Sequence, residues 1–141
     1  MKQPRVYGVL AVLAAVIAGV GLFAVPSASA HHAVQAEYDL EKTEGFTGVL
    51  TRFANVNPHV RWFFDEKKQD GTVVKWEMSG AGPGALRAAG LVRVFEVGTS
   101  YDVTFAPARR GEHLGRVRTM TSPDGRVVTL FHEDPTNPLS R

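Results

Sequence analysis

The stretch HVRWFFDEKKQDGTVVKWEMSGAGPGALRAAG, residues 59–90, decides how this chain folds. Its first seven residues alternate in an extended chain: Val60, Trp62 and Phe64 share one face, and His59, Arg61, Phe63 and Asp65 the other. The apolar set is the core candidate. Asp70-Gly71 supplies a turn, and Val74, Trp76 and Met78 repeat the period of two over residues 72–78, so a two-stranded hairpin is expected. The pattern then changes. Pro83 suits a first helical position, residues 85–89 favour helix and Gly90 stops it after about two turns. A helix that short is stable only when packed, so Leu86 is expected to enter the open end of a sheet.

Working outward, residues 45–56 read as a long first strand rich in Phe, Val, Leu and Thr, ended by the turn pair Asn57-Pro58. On the other side, Val97-Gly98 marks a turn, and residues 101–106 and 117–121 read as the fourth and fifth strands. Residues 126–131 form the last strand, after the Ser122-Pro123-Asp124-Gly125 turn. Three strands, a short helix and two or three further strands are the order of an all-β, OB-like barrel of five or six strands, with its helix between strands 3 and 4. An immunoglobulin-like sandwich, the competing architecture, would need about seven strands and no helix.

Residues 1–30 read as an export signal. Lys2 and Arg5 give it a positive start, residues 6–25 are apolar without a charge, Pro26 ends the run and Ala28-Ser29-Ala30 offers small residues for cleavage. The apolar run approaches the ~20 residues of a membrane-spanning helix, so retention as an anchor is the alternative. Either outcome places residues 31–141 outside the cytoplasm: periplasmic or secreted if cut, membrane-anchored if residues 6–25 are kept. The expected plan is a signal at 1–30, an N-terminal tail at 31–44, the barrel at 45–132 and a C-terminal tail at 133–141.

The chain holds 16 Lys and Arg against 14 Asp and Glu, but Lys2 and Arg5 leave with the signal. The remainder is formally neutral, which disfavours nucleic acid as a partner because phosphate binding needs a surplus of cations. Glu37, Asp39, Glu41 and Glu44 precede the first strand while Arg109, Arg110, Arg116 and Arg118 crowd near the end, and the two groups are expected to form solvated faces that attract each other. Cysteine is absent from the sequence, which excludes disulfides and thiolate chemistry.

A cut after Ala30 would make His31 the first residue, followed by His32. A free amine, an imidazole on the same residue and a second imidazole beside it form a chelating cluster suited to copper(II), with His59 as a further nitrogen ligand. The plainer reading is a polar, frayed terminus with His59 as a turn residue bonded to the backbone. His113 and His132 are expected in solvent. Arg61 and Phe63, on the outer face of the second strand beside His59, have the mixed aromatic and arginine character of a protein or small-ligand surface.

No catalytic motif emerges. Residues 79–84 are glycine-rich but lack the Lys-Ser/Thr ending of a phosphate loop and read as a flexible connection. Asp65, Glu66 and Glu77 alternate with core residues, as solvent-face charges do. Ser79 and Ser100 stand in no nucleophile motif.

His31-His32, Glu37-Tyr38-Asp39, Asn57-Pro58-His59-Val60, Trp76 and Gly84-Ala85-Leu86 together resemble a family of small exported bacterial proteins of unknown function. That family usually has serine where Ala33 stands, an aromatic residue at Arg61 and asparagine at Gly84. The resemblance spans the chain after the signal and implies the same location and fold, with no reaction attached. The sequence therefore points to an exported, non-enzymatic binding or accessory module acting on another envelope protein or a small ligand. The alternative is a copper(II)-binding protein that uses His31, His32 and His59.

Overall fold

The computed structural model describes residues 34–131 and residue 139. The expected signal, His31, His32, His132 and most of the expected C-terminal tail lie outside the described residues. The elements are β1 (Glu44–Ala54), β2 (Arg61–Lys67), β3 (Val73–Ser79), α1 (Pro83–Ala88), β4 (Ser100–Pro107), β5 (Leu114–Thr121) and β6 (Val127–Thr129). They form one sheet in the order β3-β2-β1-β4-β5-β6. A parallel pairing of β3 with β5, Glu77 opposite Leu114 and Ser79 opposite Arg116, closes the first five strands into a barrel and leaves β6 outside the ring. This is the expected OB-like, all-β architecture with its helix between β3 and β4.

The alternation at 59–65 does what it predicts. Val60, Trp62 and Phe64 are buried, while Arg61 faces solvent. On β1, Phe46, Gly48 and Leu50 fill the inward positions. Closing a small sheet requires sharp bends, and register shifts supply them between Leu50 and Arg52 and between Thr104 and Phe105. Gly115 permits the close approach of β5 to β4 beside the β3–β5 seam: a Cβ there would collide with the Phe105 ring and stand 3.0 Å from the Ala106 carbonyl.

Pro83 opens α1 and Gly90, at φ +72°, ends the turn that follows it. Leu86 is fully buried and joins Leu50, Trp62, Met78, Phe95, Val103, Val117 and Met120 in the main core, as a packed two-turn helix requires. Several boundaries moved: β2 begins at Arg61, which leaves His59 in the loop before it, and β5 begins at Leu114, three residues ahead of the expected start. β1 ends at Ala54, two residues before the expected limit, ahead of a cis Asn57-Pro58 bond, and the last strand is shorter than expected.

Residues 34–44 belong to the expected tail, yet they are tied to the barrel. Residues 34–37 make a helical turn closed by the Tyr38 amide donating to the Val34 carbonyl at 2.9 Å. The Asp39 amide then donates to the Pro107 carbonyl and the Arg109 amide to the Glu37 carbonyl, each at 2.9 Å. Val34 and Tyr38 lie one helical turn apart, so they bury together against Ala106 in a second, smaller core that Leu40 and Ala108 complete. That apolar burial holds the segment down.

Candidate functional site

A cavity of about 430 Å³ opens where this docked segment meets the barrel, within the ~300–1,000 Å³ typical of small-ligand sites. Four pieces of chain build it. Ala36, Glu37 and Tyr38 form one wall, and His59 enters from the β1–β2 loop. Arg61, Glu77 and Ser79 rise from the outer face of β2 and β3, residues 108–110 come from the loop after β4, and residues 114 and 115 from the start of β5.

The backbone fixes these positions before any side chain does. The Val60 amide donates to the Ala81 carbonyl and the Gly80 amide to the Val60 carbonyl, each at 3.0 Å, so the approach to β2 is stapled to the exit of β3. His59 is thereby held at the cavity rim. Its Nδ1 is shut off from solvent and has no hydrogen-bond partner among the described residues, so the backbone bond expected of a turn histidine is not made through that atom. Arg61 stands opposite Ser79 in the ladder, and its Nη1 lies 2.7 Å from Glu77 Oε1.

On the facing wall the Tyr38 hydroxyl donates to Glu37 Oε1 at 3.1 Å. Burial pushes the Tyr38 phenol above its ordinary value, and the neighbouring Glu37 charge adds to this while Ser79 hydrogen bonding opposes it. Arg109 donates from Nε to the Gln35 carbonyl at 2.9 Å and sits 3.9 Å from Asp39. Arg118 donates to the Leu40 carbonyl. The acidic and basic groups at the two ends of the sequence therefore do meet. Arg116 departs from the solvated face expected of it: it is 2% exposed, donates to the Gly80 carbonyl at 3.2 Å and packs over the Phe131 ring. Burial pulls its guanidinium below the ordinary value, against the charges of Tyr38 and Glu37.

The structure separates the two surface candidates. Arg61 lines the cavity with His59, whereas Phe63 lies outside it under the Arg52 guanidinium, 3.7 Å from the ring centroid. Of the three sequence-level ligand candidates only His59 is among the described residues, and these hold no cluster of three His, Asp or Glu placed to cage a metal ion. The carboxylates considered for acid and base work have separate partners: Glu77 takes Arg61, Asp65 takes Lys75, and Glu66 takes Lys68 and the Trp76 indole. The glycine-rich stretch has a packing role, since Gly80 lies against Trp62. His113 sits in the β4–β5 loop with its ring edge-on to Trp76 at 4.9 Å.

Sequence reasoning did not place Glu37, Tyr38, Ser79, Arg109 and Arg110 around one cavity. The spacing of Val34 and Tyr38 was the available signal, because an apolar pair one turn apart in an otherwise polar segment marks a docking face.

A family model described as a family of unknown function (DUF6152) matches residues 20–117, a span that includes every residue lining the cavity. Comparison with curated proteins and with solved structures finds no match.

Proposed function

We propose that this chain, which belongs to the DUF6152 family of unknown function, is an exported, non-enzymatic binding module whose ligand site is the cavity around His59, Arg61 and Ser79. The carrying observation is location. OB barrels take ligands across strands 2 and 3 between the loops that follow strands 1 and 4, and this cavity lies over β2 and β3 between those same two loops. Its lining mixes guanidinium, carboxylate, hydroxyl and imidazole groups with small apolar residues, which suits a small polar ligand. The formally neutral chain after the signal supports such a ligand over nucleic acid.

Export is supported by the charge, apolar run and small residues of positions 1–30. Mass spectrometry of the protein recovered from the cell envelope is expected to find His31 at the terminus; a full-length cytoplasmic product refutes that half of the reading. For the binding half, polar solutes added to the protein are expected to shift the backbone amide signals of Ser79, Arg110 and Gly115. Shifts confined to other surfaces refute it.

A second reading is favoured by one observation: the docked segment, whose residues 36–38 line the same cavity as His59, is described from Val34, two residues after His32. In this reading the amine and imidazole of His31 bind copper(II), with His59 or His32 as a further ligand. Copper(II) titration of protein with a confirmed His31 terminus tests it. Unchanged affinity after blocking the amine, or in His59→Ala, removes this ligand set.

A further inference from the structure

The cavity wall that residues 36–38 form is built unlike the others. Arg61, Glu77 and Ser79 stand on strands of the closed ring, and His59 is held by the staple between the approach to β2 and the exit of β3. The docked segment, among the described residues, pairs with the barrel through one isolated bridge, Tyr38 to Ala108, beyond the end of β4. We propose that residues 34–39 are a releasable strap: docked, they complete the cavity; released, they open it along the β2–β3 face while the barrel stays folded.

The balance of forces on this segment is a close one. Val34 and Tyr38 are buried, in a core whose other fully buried member is Ala106, while Gln35, Ala36 and Glu37 between them are exposed. Burial of two side chains must therefore offset the conformational entropy of six ordered residues. Hydrogen bonds favour docking: Arg109 donates from its amide to the Glu37 carbonyl and from Nε to the Gln35 carbonyl, and the Asp39 amide donates to the Pro107 carbonyl, each at 2.9 Å. Water takes over these groups on release, so the net gain from each is modest. Glu37 adds a charge that acts on the buried Arg116 guanidinium and lessens what burial costs it. A segment so balanced, beside a ring whose strands are bonded on both sides, opens on its own.

Amide hydrogen exchange of the chain as recovered from its host, followed by NMR, is the test. The Tyr38, Asp39 and Arg109 amides, which donate to the Val34, Pro107 and Glu37 carbonyls, report on the strap; the Leu50 and Val60 amides, which donate to the Thr99 and Ala81 carbonyls, report on the barrel. The strap amides are expected to exchange together, at least roughly tenfold faster than the barrel pair, at a rate that low urea leaves unchanged because local opening exposes little surface. Tyr38→Ala should speed Asp39 and Arg109 at least roughly tenfold further and leave Leu50 and Val60 as they were. Glu37→Gln, which removes no buried apolar group, should speed the same two about threefold. Strap amides that exchange with Leu50 and share its urea dependence overturn the strap. So does a Tyr38→Ala chain that fails to fold, or whose barrel amides quicken as much as its strap amides. No ligand enters the measurement, so its failure leaves the binding role of the cavity standing.

Discussion

Gly80 lies against the Trp62 indole so closely that a Cβ at position 80 would stand 2.5 Å from Cζ3 and 2.7 Å from Cη2. The ring is fully buried and stacks on Phe53, so it has little room to retreat. Gly80→Ala is therefore expected to lower stability by about 1–3 kcal/mol, as overpacking does. Gly84→Ala supplies the contrast: it sits in α1 with open space around it, and removing a helical glycine should raise stability by up to about 1 kcal/mol. Urea unfolding of both variants checks the pair, and an unchanged midpoint for Gly80→Ala would contradict the contact.

Leu86 is the one fully buried side chain of α1. Leu86→Ala should cost about 2–5 kcal/mol by removing buried methyl groups and opening a cavity. Thermal unfolding that stays near the parent value would show that the helix is a surface ornament.

Glu66 is expected to make the barrel acid-sensitive. Burial alone would raise its carboxyl, but hydrogen bonds from Lys68 and Trp76, together with the Lys68 charge, outweigh that and hold it below the ordinary 4.5. A depressed value in the folded chain means that the contribution is present above pH 4.5 and is lost as pH falls through the folded value. Glu66→Gln should flatten the stability profile in that acid range, with Trp76 fluorescence as a second readout. An identical profile in the variant would dismiss Glu66 as the cause.

Arg61 and Glu77 should matter more to the ligand than to the fold. Their ion pair is half-open to water, so Arg61→Ala is expected to change stability by less than about 1 kcal/mol. The same substitution removes a guanidinium from the cavity and leaves Glu77 unpaired, so polar-solute binding should weaken. A large loss of stability together with unchanged binding would reverse these roles.

Much of the barrel was legible because its determinants are local. The alternation of Val60, Trp62 and Phe64, the Asp70-Gly71 turn and the Pro83 to Gly90 helix each lie within a few residues, and each holds. The cavity was less legible. It depends on Tyr38 meeting Ala108 and on β3 meeting β5, and no periodicity records which distant segments will pair. His59 and Arg61 were found as a pair because they stand two residues apart in an alternating stretch, although His59 lies in the loop just before β2. Glu37, Ser79 and Arg110 join them only through closure.

The pairing of β3 with β5 also governs how the molecule comes apart. In the ring β1-β2-β3-β5-β4 every strand is bonded on both sides, so releasing any one breaks at least two ladders at once. β6 is held by a single seam to β5 among the described residues, with Val127 largely open to water. Amide protons should therefore exchange with solvent in two regimes, those of the ring together through global opening and those of β6 through local release.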